Sequence, residues 1–264
     1  MSRAALALWL LLALAPAGAA QTRAAGVLLE SLTWMEAEKV LTPRTVVVIA
    51  LGAAAKEHGP HLRLNNDWVM AEYLKTRVLQ AADVVVAPTI NYHHYPAFIH
   101  YPGSTSLSAE TARDVVVQIV RSLAAFGPRR FYIVNTGIST VPPLQQAQEL
   151  LAGDSIRLAF TNLSVVLRDV EREVSTQEGG THADEIETSM MLYMAPATVD
   201  MSKAVKDYRP SRGRPLVRDS TMAGTYSPSG TWGDATLATR AKGERVTEAL
   251  VAGILREIEQ LRRM

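Results

Sequence analysis

Apolar positions along the chain follow two rhythms. Residues 45–51 (TVVVIAL) are an unbroken run of β-branched and aliphatic side chains, the pattern of a strand buried on both faces. Residues 84–88 (VVVAP) repeat it, with Pro88 predicted to stop the strand, and 131–135 (FYIVN) give a third. Between these runs the period lengthens to that of a helix. Residues 67–82 place Trp68, Ala71, Leu74, Val78 and Leu79 on one stripe. Residues 108–126 open on a capping pattern at Ser108 and Thr111 and close at Gly127-Pro128, and 142–151 form a further helix. A helical lead-in is expected over 28–37. Further strands are expected at 156–160 and 164–167, a helix over 181–194 ended by Pro196, and a long amphipathic helix over 236–263.

The succession strand, helix, strand, helix predicts an α/β fold: a mostly parallel sheet covered by helices on both faces, in three layers. Its crevice is expected at the carboxyl ends of the strands. The stretch 208–233, rich in Pro, Gly, Ser and Arg, reads as a long surface loop within a single domain spanning 21–264.

Composition narrows the chemistry. The 264 residues carry 27 basic and 26 acidic side chains, a balance that argues against a nucleic-acid partner. Cys is absent, which excludes disulfides, thiolate metal sites and a Cys nucleophile, so a metal must be held by His, Asp or Glu. Residues 1–20 combine Arg3, an apolar core and small residues before Gln21, the pattern of a signal peptide. Export to the periplasm or medium is therefore expected, with no membrane association after cleavage. An uncleaved anchor is the other reading, although the apolar run is short of the roughly 20 residues that span a bilayer.

Three segments concentrate reactive side chains. After the first strand, KEHGPHLRLNND delivers Lys56, Glu57, His58, His61 and Asp67 toward the crevice. Neutral imidazole with carboxylate suits zinc, or manganese, although a polar loop and a helix-capping Asp67 would look the same. THADEIETS places His182 in the expected first turn of a helix, where spacing alone pairs it with Glu185 and turns Glu187 about 140° away. An acidic first turn that merely complements the helix dipole is the plainer alternative. NYHHYPAFIHYPGSTSL interleaves His93, His94 and His100 with aromatic rings, as a pocket wall or a stiffened surface loop does.

These segments resemble the creatininase (creatinine amidohydrolase) family of metal-dependent amide hydrolases. EHGPHLRLNND is similar to that family's E-x-H-G-x-H-L-P-x-x-x-D, and HYPGSTSL to its H-F-P-G-T-x-S-L. HADEIETSMMLYMAPATVDM is similar to H-A-G-E-x-E-T-S-x-M-L with the following Pro and Val-Asp. GTWGDATLATRAKGE resembles G-x-x-G-D-P-x-x-A-x-x-x-x-G, and the likeness runs from about residue 41 to 251.

The resemblance implies a creatininase-like α/β fold, a homo-oligomer, and two metals bridged by one Asp and a water. Carried over, His58, Asp67 and Glu187 match the ligands of one metal, with Asp67 as the bridge. His182 matches the proton-shuttling His, and His100 falls in the pocket-lining block. The chain departs from the family at the other metal. Lys56 stands where the Glu two residues before His58 is expected, although Glu57 could substitute, and Gly137 stands for a His in the N-G-H-G-G-N segment, here Asn135 to Thr140.

The expectation is one divalent ion per chain, zinc before manganese, with the ammonium of Lys56 in place of the second. The function expected is hydrolysis of a small-molecule amide, cyclic or linear, by metal-activated water, with His182, Glu57 and Lys56 as the catalytic set. His61, His100, Thr136 and Ser139 are expected to line the substrate pocket. The competing reading is a catalytically degenerate periplasmic binding or accessory protein. A phosphate-cradling loop at residues 136–140 rests on small residues after a strand alone.

Overall fold

Five parallel strands form the central sheet of this computed structural model, which describes residues 25–210 and 215–264. They are β1 (Val27–Leu28), β2 (Val46–Leu51), β3 (Val85–Ile90), β4 (Arg130–Asn135) and β5 (Arg157–Phe160), ordered β1-β3-β2-β4-β5. Every residue of β2 is buried, as its continuous apolar sequence requires for the central strand of a sheet covered on both sides. The signal segment expected at 1–20 lies outside the described residues.

Alternation along β2 splits the core in two. Val46, Val48 and Ala50 face helices α2 (Asn66–Ala81), α7 (Glu185–Met194) and α8 (Arg240–Arg263). Val47, Ile49 and Leu51 face α3 (Ala109–Ala124) and α4 (Val141–Gly153), with α1 (Trp34–Val40) at the margin. The result is the expected three-layer α/β arrangement. Two short helices, α5 (Leu163–Val166) and α6 (Arg168–Val174), lie against α8. Among the described residues no helix is long and apolar enough to cross a membrane.

Several elements depart from the sequence expectation for identifiable reasons. Pro88 lies inside β3 rather than ending it. The short β1 pairs only with Val85 and Val86, and the register to β2 shifts between Ile49 and Leu51, so the missing N–H falls at an irregularity in the ladder. The expected lead-in helix is instead β1, a turn of 3₁₀ helix and then α1, which starts where Thr33 and Glu36 form a capping box. Residues 163–166 are helical rather than extended, since a short apolar run does not by itself distinguish a buried strand from a helix. The buried stripe of α2 runs Asp67, Met70, Ala71, Leu74, Val78, which leaves Trp68 36% exposed and turns Asp67 inward.

Candidate active site

The loop after β2 carries most of the chemistry. Gly52 lets α2 approach it closely: a Cβ there would collide with the Asp67 carbonyl and Ala71. That contact seats the first turn of α2, with Asp67 on its inner face, beside residues 56–58. The backbone of Lys56 is pinned on both sides, its N–H donating to the Leu64 carbonyl (2.9 Å) and its carbonyl meeting His58 Nδ1 (2.8 Å). His58 Nε2 then faces Asp67 Oδ1 at 2.7 Å and Glu187 Oε1 at 3.4 Å. The other Asp67 oxygen, Oδ2, lies 2.7 Å from Lys56 Nζ.

His182 arrives from the opposite side. It precedes α7 instead of occupying its first turn: Ala183 has φ 48°, and Asp184 is the N-cap, accepting from the N–H groups of Ile186 and Glu187. His182 is held extended by backbone pairing with Trp232. Because it is outside the helix, helical spacing does not govern its partner. Its Nδ1 is 3.7 Å from Glu187 Oε2, whereas Glu185 turns away to Lys242, Thr176 and Gln177. His182 Nε2 lies 3.0 Å from Glu57 Oε2, and its ring centre is 4.2 Å from that of Phe98 and 5.1 Å from that of His58, tilted to each.

One nitrogen or oxygen from each of His58, His182 and Glu187 lies within 4.8 Å of the others, a gathering able to hold a metal ion. Of the expected ligands His58 and Glu187 belong to this trio, His182 stands in it where Asp67 was expected, and Asp67 Oδ1 meets the same His58 Nε2 at 2.7 Å. His58 and Asp67 are 1% exposed, while the Glu187 side chain, 17% exposed, opens the cluster toward solvent.

Charges in this confined space are mutually compensated. Burial opposes ionisation of His58, but Asp67 and then Glu187 outweigh it together with the repulsion from Lys56, and its pKa rises to about 9. Burial likewise pushes the Asp67 carboxyl up, yet Lys56 and His58 hold it below the usual range. Against the same burial, His58 and His182 keep Glu187 well below it. For Glu57 the pull of burial is overcome by His182, the Gly59 N–H and His58. The donors present, imidazole and carboxylate, suit a borderline divalent cation.

The expected pocket residues are distributed unevenly. His61 is buried, with Nε2 2.8 Å from Thr188 Oγ1, and its Nδ1 has no hydrogen-bond partner. Burial lowers its pKa to about 4. Thr136 and Ser139 spend their hydroxyls on the carbonyls of Leu51 and His94, tying loops together. His100 is half-buried in the turn after Phe98 and makes none of the hydrogen bonds, ion pairs or ring contacts of the cluster. Phe98 and Tyr95 contribute instead: the Lys56 ammonium lies 4.8 Å from the Phe98 ring centre and 5.6 Å from that of Tyr95. The aromatic content of residues 92–101 was the only sequence signal for them. Gly230 (φ 83°) also escaped the sequence reading; any side chain there would strike the Glu57 carboxylate.

Known proteins resemble this chain over most of its length. A family model described as Creatininase, creatinine amidohydrolase, matches residues 30–258. Creatinine amidohydrolase of Pseudomonas putida is 28% identical over 254 residues, covering 89% of this chain and 96% of its own. A mycofactocin precursor peptide peptidase of Mycobacterium tuberculosis is 30% identical over 229 residues, covering 80% of this chain and 84% of its own. Among solved structures, a creatininase variant complexed with creatine superposes with a TM-score of 0.75 at 26% identity, covering 92% of this chain and 100% of the other. A creatininase variant of Zn-Zn type gives 0.73 at 26% identity, covering 90% and 98%.

Proposed function

The chain belongs to the creatininase family of amide hydrolases, and from that premise we propose that it cleaves the C–N bond of a small amide, cyclic or peptide, with the help of one divalent ion. The observation that carries this reading is the convergence of His58, His182 and Glu187 beside Asp67 and Glu57 at the carboxyl ends of the strands. His58, Asp67 and Glu187 would hold the ion, with zinc favoured over manganese for this donor set. When bound, such an ion polarises the amide carbonyl and lowers the pKa of a water.

The protein's own groups supply the rest. The Lys56 carbonyl at His58 Nδ1 orients the ring so that Nε2 faces the acids. His182 and Glu57, 3.0 Å apart, form a proton-handling pair. Hydrolysis adds OH to the carbonyl carbon and H to the departing nitrogen, and this pair takes the proton from water and returns it to that nitrogen. Phe98 covers the His182 ring and limits water at the pair. His61, with a free buried nitrogen, is the residue best placed to meet a polar group of the substrate.

The test is turnover of a panel comprising creatinine, lactams and short peptides by zinc-loaded protein. Release of amine that disappears in Asp67→Ala and His182→Ala supports the reading; unaltered turnover in either variant removes it.

A degenerate binding protein is the second reading, favoured by Gly137, which offers no side chain to a metal. It predicts no bound metal and no change in melting temperature on adding a chelator. We also propose export directed by residues 1–20 and a homo-oligomeric state. N-terminal sequencing of protein recovered outside the cytoplasm and light scattering test these in turn.

A further inference from the structure

We propose that Lys56 is a built-in cation that limits the site to one divalent ion, by occupying the face of Asp67 that a second ion would need. The inference rests on the reading of His58, Asp67 and Glu187 as an ion site and concerns how many ions that site accepts. Lys56 is 5% exposed, and its ammonium is 2.7 Å from Asp67 Oδ2. The rings of Phe98 and Tyr95 present their faces to it, and its backbone is fixed by Leu64 and His58. This is a placed charge on a rigid segment, unlike a surface lysine free to swing away.

Both oxygens of Asp67 are thereby assigned. Oδ1 faces His58 and the point where the imidazole and Glu187 meet, and Oδ2 faces the ammonium. A carboxylate shared between two metal ions needs both faces open to metal. A second dication on the Oδ2 side would sit against a buried like charge in a medium of low effective dielectric, where repulsion at a few ångströms is strong. Nothing on the neighbouring loop attracts an ion there. Gly137 has no side chain, and its carbonyl already accepts from Asn135 Nδ2 (2.7 Å) and Thr140 Oγ1 (2.9 Å). Tyr95, with its buried hydroxyl lacking a hydrogen-bond partner, adds a neutral phenol.

Lys56 therefore acts as a positioning residue. It balances Asp67 before the ion arrives and fixes which oxygen is offered to it.

The experiment measures zinc per chain by elemental analysis after saturation and gel filtration, and zinc affinity by competition with a chelator. It uses the full chain, Lys56→Glu and Lys56→Met, with thermal melting to confirm folding. The wild type is expected to hold one ion. Lys56→Glu, which exchanges the repelling charge for a ligand, is expected to hold two. Lys56→Met removes the repulsion without adding a ligand and is expected to keep one ion, bound about tenfold or more tightly. Should Lys56→Glu not fold, the affinity of Lys56→Met carries the test alone. Two ions in the wild type overturn the proposal. So do one ion and unchanged or weaker affinity in the folded Lys56 variants, and that outcome leaves the ion-site reading intact. No ion in any chain removes the ion-site reading itself, and this inference with it.

Discussion

His182 Nε2 and Glu57 Oε2 face each other at 3.0 Å, although the two residues are 125 positions apart in the chain. Neither is fully exposed to water, and the Gly59 N–H anchors the second Glu57 oxygen. Glu57→Gln keeps the shape and a hydrogen bond but removes the carboxylate proposed to handle the proton. It is expected to lower kcat by about 10²- to 10⁴-fold. Zinc content and melting temperature should change little, and elemental analysis with calorimetry checks this.

Asp67 and His182 are assigned different tasks, and metal content separates them. Asp67→Asn is expected to lose the ion, because the carboxylate beside His58 goes. His182→Gln is expected to retain it while turnover falls by about two orders of magnitude or more. Loss of zinc from His182→Gln would make His182 a ligand, in keeping with its place in the gathered trio.

Gly230 tests the seating of Glu57 from the other side. Its φ of 83° is costly for a side-chain-bearing residue, and a Cβ would meet the Glu57 carboxylate. Gly230→Ala should lose about 1–2 kcal/mol of stability from backbone strain and a larger share of its activity, read from urea denaturation and kcat on the same preparation.

His93 predicts a pH effect away from the ion. Its ring is 1% exposed, and burial first, then the neighbouring His94, lowers its pKa from 6.5 to about 4. The folded protein thus resists a proton that the unfolded chain accepts. The contribution of His93 is complete above pH 6.5 and is lost as the pH falls toward 4, by up to about 1.4 kcal/mol per unit. Urea midpoints between pH 7 and 4.5 should therefore fall less steeply in His93→Leu than in the wild type. Equal slopes would contradict the shift.

Much of this was legible in the sequence because it was local. The strands at Val46–Leu51 and Arg130–Asn135 follow from continuous apolar runs, and α3 from its Ser108 cap, whose hydroxyl accepts from the Thr111 N–H. The proximity of His58, Asp67 and Lys56 follows from one short loop leading into a helix. What escaped depends on contacts between distant segments or on backbone conformation. The pairing of His182 with Trp232 and the positive φ of Ala183 put His182 before the helix, so Glu187 rather than Glu185 became its neighbour. Phe98 rather than His100 lies against the site because the 3₁₀ turn Pro96–Phe98 ends with Phe98 buried against the His182 ring and leaves His100 beyond it. Pro88 misled because the breaker rule assumes a regular ladder, and here the ladder is irregular.

The proposed hydrolysis depends on a divalent ion at one place, and anomalous diffraction at the zinc edge from zinc-loaded crystals tests that most directly. The predicted result is one strong peak per chain, within bonding distance of His58, Asp67 and Glu187 and separated from Lys56. A map with no peak at these residues, or with the peak elsewhere on the molecule, would contradict it.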